Sequence, residues 1–236
     1  MSNIQSIKTY VVYMSNDAFS VEMTKDTIKS LEKFNIEYEM FDGVVGRNGV
    51  NVLESFGVKP SAHVARAQWT DGTIGCLASH YLLWDKCADQ EEPFLILEQD
   101  GVLIRDPGEI ADQVEFVCHL DAFLPFNNIN KNLDYNHFEE YNKSMSVYVP
   151  GVSKHPENKF YGSNKITGAV FRGTYGYIIT PKGAKAVINF ISNHGAFPSD
   201  QSLCKRAMPL QRANSTYVRL NPFFKNLEIQ KEFSSR

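Results

Sequence analysis

Only four cysteines occur in the 236 residues, Cys76, Cys87, Cys118 and Cys204, and none pair as C-x-x-C. That excludes a zinc ribbon and a disulfide-stapled small domain, and it points to reduced thiols. Cys76 and His80 stand four apart, which puts two metal ligands on one helical face, but no further pair follows at ligand spacing. A four-ligand structural zinc is therefore not expected. No run of 18 apolar residues is present, so no membrane-spanning helix is expected. The opening MSNIQSIKTYVVYMSND lacks the basic, apolar and small-residue zones of a secretory signal. Internal repeats, low-complexity tracts and an evident linker are also missing. With 43% hydrophobic, 22% charged and 12% aromatic residues, the composition is that of a globular protein rather than a disordered, collagenous or coiled-coil one. The expectation is a single domain over 1–236, cytoplasmic, with peripheral membrane contact left open and oligomeric state undetermined.

The net charge of −3 conceals an asymmetry. Residues 1–158 carry 12 Lys+Arg against 24 Asp+Glu, and residues 159–236 carry 12 against 3. A basic segment of this size suits a polyanionic partner, such as a phosphorylated glycan, nucleic acid or an anionic membrane surface. The plainer alternative is that the two parts share a surface and partly neutralise each other.

Hydrophobic patterning alternates strands and helices. IKTYVVYM reads as a strand, and Ser20 to about Phe34 as a helix with Met23, Ile28, Leu31 and Phe34 on one side. IEYEMFDGV alternates like a strand with one wetter face, which completes a β-α-β unit. Residues 43–73 read as irregular, with Arg47 and Arg66 among small and polar residues. GTIGCLASHYLLWDKCADQ reads as a helix with Leu77, Tyr81, Trp84 and Ala88 on its packed side. FLILEQDGVLI places an acidic triplet between two apolar runs, and the first run has the character of a strand buried on both faces. PGEIADQVEFVCHL reads as a helix opened by Pro107, and DAFLPF as a short strand. Residues 127–160, rich in asparagine and aromatics, read as a lid or acceptor-binding insertion. AVFRGTYGYIIT, PKGAKAVINFISNH, FPSDQSLCKRAM and STYVRL then read as strand, helix, helix and strand, followed by a basic tail. The fold class expected is α/β, a mainly parallel sheet flanked by helices. Residues 1–126 and 161–236 are read as the two halves of the single domain on either side of the insertion.

Glu98 and Asp100, separated by Gln99, lie at the carboxyl end of a buried strand, the edge at which open α/β sheets bind ligands. Unpaired buried carboxylates cost several kcal/mol, so these two must reach solvent or hold a cation. An acid, a spacer and an aspartate at this place suit Mn²⁺ or Mg²⁺ bound against a diphosphate, where the ion neutralises the leaving phosphate. A solvated strand-end turn is the plainer alternative.

Four co-linear segments carry a resemblance. They are Gly72-Thr73-Ile74-Gly75-Cys76-Leu77-Ala78-Ser79-His80 with Trp84, Ile96-Leu97-Glu98-Gln99-Asp100-Gly101-Val102, Gly173-Thr174-Tyr175-Gly176-Tyr177-Ile178-Ile179 leading to Gly183-Ala184-Lys185, and Pro198-Ser199-Asp200. In order and spacing over 7–205 they resemble glycosyltransferase family 25, which includes lipooligosaccharide galactosyltransferases and collagen hydroxylysine galactosyltransferase domains. The resemblance implies a single GT-A domain, a nucleotide-sugar donor of the UDP type, a divalent cation and transfer with inversion. It also implies a nucleotide-sugar and metal half in 1–126 and an acceptor-side half in 161–236. Glu98 and Asp100 then hold cation and diphosphate. Asp200 is the candidate base, with helix N-cap as its alternative. Ser79 and His80 match the family's S-H pair and suit binding of donor phosphate or the acidic loop, with a packed, hydrogen-bonded histidine as the alternative. Adjacent helical residues point about 100° apart, so the two cannot form a nucleophilic couple. Asp42 at the end of the second strand, Arg66, Thr174 and Tyr175 complete the candidate substrate contacts.

Three departures stand out. Tyr13-Met14-Ser15-Asn16-Asp17 lacks the arginine of the family's N-L-D-R segment, Thr73 replaces a glutamate, and Gln99 replaces the middle acid of E-D-D. The last two motivate a rival reading, a binding protein that kept the fold without turnover. The acceptor is read as an anionic lipooligosaccharide-type glycan. Its alternative is hydroxymethylated DNA, as modified by bacterial viruses, with base extrusion onto Tyr148, Phe160, Tyr161 or Tyr175. A general nucleic-acid-binding module finds no recognition motif.

Overall fold

The computed structural model describes residues 7–64, 66–122, 146–155, 166–171 and 173–221. Seven strands form one sheet in the order β2 (Tyr38–Asp42), β1 (Lys8–Tyr13), β3 (Phe94–Glu98), β7 (Gly176–Ile179), β5 (Val117–His119), β8 (Leu210–Ala213) and β6 (Val152–Lys154). Five run in one direction; β7 and β6 oppose them. A separate antiparallel pair joins β4 (Gly101–Leu103) to β9 (Val218–Leu220).

Side-chain alternation sends neighbouring residues of each strand to opposite cores. Phe94 and Ile96 of β3, with Tyr177 and Ile179 of β7, pack beneath α3 (Asp71–Ala88) and α4 (Pro181–His194). Leu95 and Leu97, with Ile178, face the other core, which includes Leu31 of α1 (Ala18–Lys33) and Ile110 of a 3-10 segment, Pro107–Gln113. Burial on both faces explains why β3 is a continuous apolar run. Each long helix opens on a side-chain cap. Asp17 accepts from the Phe19 N–H, Thr70 from Thr73 and Thr180 from Gly183, each worth about 1 kcal/mol.

Several expectations are corrected. PGEIADQVEFVCHL is not one helix. The 3-10 segment ends at Gln113, Val114 is extended, and Val117–His119 form β5, which pairs with β7 and β8 in the sheet interior. The irregular reading of 43–73 misses α2 (Asn48–Ser55), whose Gly49 lets it pack against α3 at Ile74. FPSDQSLCKRAM contributes one helical turn, α5 (Ser199–Ser202). Neither Asp121 nor Ala122 of DAFLPF is in a strand, and 123–126 lie outside the described residues. Strands β6 and β8 are additional. Of the insertion at 127–160, only 146–155 is described; the basic tail beyond 221 also lies outside the described residues.

Candidate active site

Glu98, the last residue of β3, shares the face of Phe94 and Ile96 and so looks toward α3. There His80, fully buried, places Nε2 3.0 Å from Glu98 Oε1 and Nδ1 2.8 Å from Tyr177 Oη. Trp84, one turn further along α3, donates its indole N–H to the same phenol oxygen at 2.9 Å. Thr174, just before β7, donates its hydroxyl to Glu98 Oε1 and lies 3.2 Å from Ser199 Oγ. Cys76, one turn before His80, has its Sγ 3.3 Å from that serine oxygen. Two segments far apart in sequence thus bond one carboxylate, and Ser199 links them through Thr174 and Cys76.

Burial opposes charge on both Glu98 and His80. Their mutual hydrogen bond and attraction, with help from Thr174, still hold the Glu98 carboxyl below its usual range. For His80, burial is outweighed by Tyr177, Cys76 and Glu98, so its pKa lies well above the ordinary histidine value. An ionised carboxylate can only accept, so Nε2 carries the proton and donates to Glu98. Burial pushes Tyr177 up to about 12, which keeps it a neutral phenol at pH 7.

Asp100 has the opposite environment. Its Oδ1 is buried and has no hydrogen-bond partner among the described residues. Burial, reinforced by the charge of Glu98, pushes its carboxyl up to about 7. A buried, unsatisfied oxygen beside an ionised carboxylate is stabilised by a cation, and carboxylate oxygens are the ligands Mg²⁺ and Mn²⁺ prefer. The pair therefore fits the divalent ion that the family resemblance implies.

The turn carrying this pair is clamped from two sides. Ser20 of α1 donates to the Gln99 side-chain oxygen, Thr27 donates to the Gln99 carbonyl at 2.9 Å, and Ser30 accepts the Leu103 N–H at 2.9 Å. From the other side, the Asn221 N–H donates to the Asp100 carbonyl at 2.8 Å and its amide reaches Asp26 at 3.0 Å. Gln99 is thus engaged with α1, and its departure from an acid leaves Glu98 and Asp100 in place. Thr73 also has a local role. It is the third residue of α3, its hydroxyl 2.9 Å from the capping Thr70 hydroxyl, so that departure falls in a helix cap.

Asp200 sits in the first turn of α5, while Pro198 takes the cap position. Burial raises its pKa. N–H bonds from Gly173 and Gln201 pull the other way, Glu98's charge adds to the rise, and the net shift is upward. That rise is opposite to the lowering a helix N-cap position brings to a carboxylate.

The remaining candidates lie elsewhere. Ser79 accepts the Val44 N–H at 2.8 Å and donates to the Gly75 carbonyl, fastening the β2–α2 loop to α3. Gly75 is required there, because a Cβ would stand 2.4 Å from the Val44 carbonyl oxygen. Asp42 accepts from the Ser15 hydroxyl and backbone N–H at 2.5 and 2.9 Å, bonds that lower its pKa and tie the carboxyl ends of β1 and β2. Arg66 is exposed in a 3-10 turn, Arg66–Gln68. Tyr175 is buried and donates to Asp121 at 2.7 Å, and its carbonyl accepts the Glu98 N–H. Tyr148 is exposed and bonded to Glu109, whereas Phe160 and Tyr161 lie outside the described residues. Sequence reasoning did not assign Tyr177 or Ser199 a role, although both sit inside the matched segments. A cavity of about 670 Å³ opens at the amino ends of β1 and β2, among Lys8, Asn35, Glu37 and Glu92, and holds none of the candidate residues. The chemistry marks the carboxyl edge instead.

Two curated proteins of Haemophilus influenzae are similar to this chain. The lipooligosaccharide biosynthesis protein lex-1 is 29% identical over 137 residues, 56% of this chain and 40% of that protein. The lipooligosaccharide biosynthesis protein lic2B is 28% identical over 114 residues, 42% of this chain and 40% of that protein. The chain thus spans about two fifths of these relatives. The model of glycosyltransferase family 25 (LPS biosynthesis protein) matches residues 7–203, which takes in β1 through α5 and every residue of the Glu98 cluster. The chain belongs to glycosyltransferase family 25.

Proposed function

We propose that the chain transfers a sugar from a nucleotide-sugar donor, of the UDP type, to a hydroxyl of an anionic lipooligosaccharide-type glycan, with inversion and with a divalent cation. The observation that carries this reading is the buried, unpartnered oxygen of Asp100 beside ionised Glu98, at the carboxyl edge of β3 and within electrostatic reach of Asp200. Glu98 and Asp100 hold Mn²⁺ or Mg²⁺, which when bound offsets the charge on the departing diphosphate. Glu98 is kept ionised and correctly turned by His80 and Thr174. Asp200 takes the proton from the acceptor hydroxyl as its oxygen bonds to the anomeric carbon. The sugar–phosphate bond breaks with its electron pair left on the diphosphate. The glycan acceptor is supported by the names of the two Haemophilus relatives and by the basic balance of residues 159–236.

A mass-spectrometric screen of nucleotide sugars with Mn²⁺, against a lipooligosaccharide core and against hydroxymethylated duplex DNA, tests it. The expected result is a hexose or pentose mass increment on the glycan, lost in Glu98→Ala and in Asp100→Ala. A product on DNA alone overturns the acceptor assignment. Absence of donor consumption with every common nucleotide sugar overturns the enzyme in favour of a binding protein.

A further inference from the structure

Cys76, His80 and Glu98 bring one thiol sulfur, one ring nitrogen and one carboxylate oxygen within 4.8 Å of one another. From this we infer a second cation site, for a soft or borderline transition metal such as Zn²⁺, with Cys76 Sγ, His80 Nε2 and Glu98 Oε1 as its three protein ligands. The oxygen-only pair of Glu98 and Asp100 suits hard cations; a thiolate and an imidazole select the softer ones. Three protein ligands with a fourth position open is the arrangement of reactive rather than structural zinc sites.

The elements explain the geometry. Cys76 and His80 are four apart on α3 and so share one face, which meets the end of β3. Sequence spacing shows the first two ligands but not the third, because Glu98 arrives across 18 residues through the sheet. Access exists, since Cys76 is partly exposed and the Glu98 side chain is a quarter exposed. Metal–ligand bonds of about 2.0–2.3 Å require ligand atoms about 3–4 Å apart. His80 Nε2 and Glu98 Oε1 are already 3.0 Å apart, so closure needs a modest swing of the Cys76 side chain. The outer shell is also in place. His80 Nδ1 is fixed by Tyr177 Oη, itself held by Trp84. On binding, the thiol proton and the Nε2 proton pass to solvent; Nδ1 then supplies the N–H to Tyr177.

Co²⁺ titration of the full chain, without donor or acceptor, tests this site independently of transferase activity. One equivalent should give a thiolate-to-cobalt charge-transfer band, displaced by Zn²⁺. Cys76→Ser should abolish the band while circular dichroism and thermal midpoint stay unchanged, and Cys118→Ala should retain it. Tyr177→Phe should weaken Co²⁺ binding by about tenfold or more. No band in the native protein, or a band that survives Cys76→Ser, overturns the inference.

Discussion

Glu98 and Asp100 are two residues apart, yet their environments push their proton affinities in opposite directions. For Asp100 the folded-state pKa of about 7 exceeds the ordinary 3.8, so the folded chain retains a proton that the unfolded chain has released. The contribution of Asp100 to the stability of the metal-free protein is therefore full at acid pH and is lost as pH rises from about 4 to about 7, by an amount on the order of a few kcal/mol. Asp200, also shifted upward, adds in the same sense; Glu98, shifted downward, acts oppositely and loses its contribution as pH falls. Urea midpoints at about pH 5 and about pH 8 check the balance. Asp100→Asn should remove most of the decline, and Mn²⁺ should restore stability to the native chain chiefly at the higher pH. A native midpoint that rises between these pH values, with no response to Asp100→Asn, contradicts the Asp100 assignment. At the same scale, Tyr177→Phe leaves the Trp84 N–H without its acceptor and frees His80. It should cost about 1–3 kcal/mol of stability and reduce turnover more than donor affinity, as seen in kcat against KM. These contacts were only half legible beforehand. The Cys76–His80 spacing places both on one face, and the S-H match pointed His80 at the acidic loop, but a carboxylate reached through the sheet leaves no local pattern.

At the scale of elements, β3 was readable because burial on both faces forces a continuous apolar run. In α1 periodicity finds Met23 and Leu31, which are buried, but passes over the hydroxyls of Ser20, Thr24, Thr27 and Ser30 on the same buried side. Ser20, Thr27 and Ser30 bond the Glu98–Leu103 turn, while Thr24 donates to the Ser20 carbonyl within the helix, so a polar seam shares the packing with the apolar residues. Strands β5, β6 and β8 have three or four residues each, too few for alternation to emerge. The clamp on the turn gives a sharp test. A Cβ on Gly101 would stand 2.0 Å from the Tyr175 carbonyl oxygen, the acceptor of the Glu98 N–H. Gly101→Ala should destabilise the fold by about 1–3 kcal/mol in urea and displace the carboxylate pair, weakening Mn²⁺ binding. A neutral effect on both would show that the turn is looser than the hydrogen bonds indicate.

At the scale of the whole molecule, the division of charge along the chain is not a division in space. Strand β7 of the basic segment lies between β3 and β5 of the acidic one, and Thr174 and Asp200 close on Glu98 from that segment. The acidic and basic segments are therefore interleaved in one sheet, and Lys182 of the basic segment pairs with Glu115 of the acidic one at 2.8 Å. An anionic acceptor recognised by lysine and arginine should lose affinity as salt rises. Increasing NaCl from about 50 to about 200 mM should raise KM for a phosphorylated core more than for its dephosphorylated form. Equal KM values across that range would remove charge from the recognition of the acceptor. None of the described helices is long and apolar enough to cross a membrane. The central claim, that Glu98 and Asp100 hold the cation on which transfer depends, is tested most directly by donor turnover against Mn²⁺ concentration in the native chain and in Asp100→Asn. The account predicts saturable Mn²⁺ dependence abolished by chelator, with turnover lowered about 100-fold or more in the variant. Turnover indifferent to both chelator and variant would contradict it.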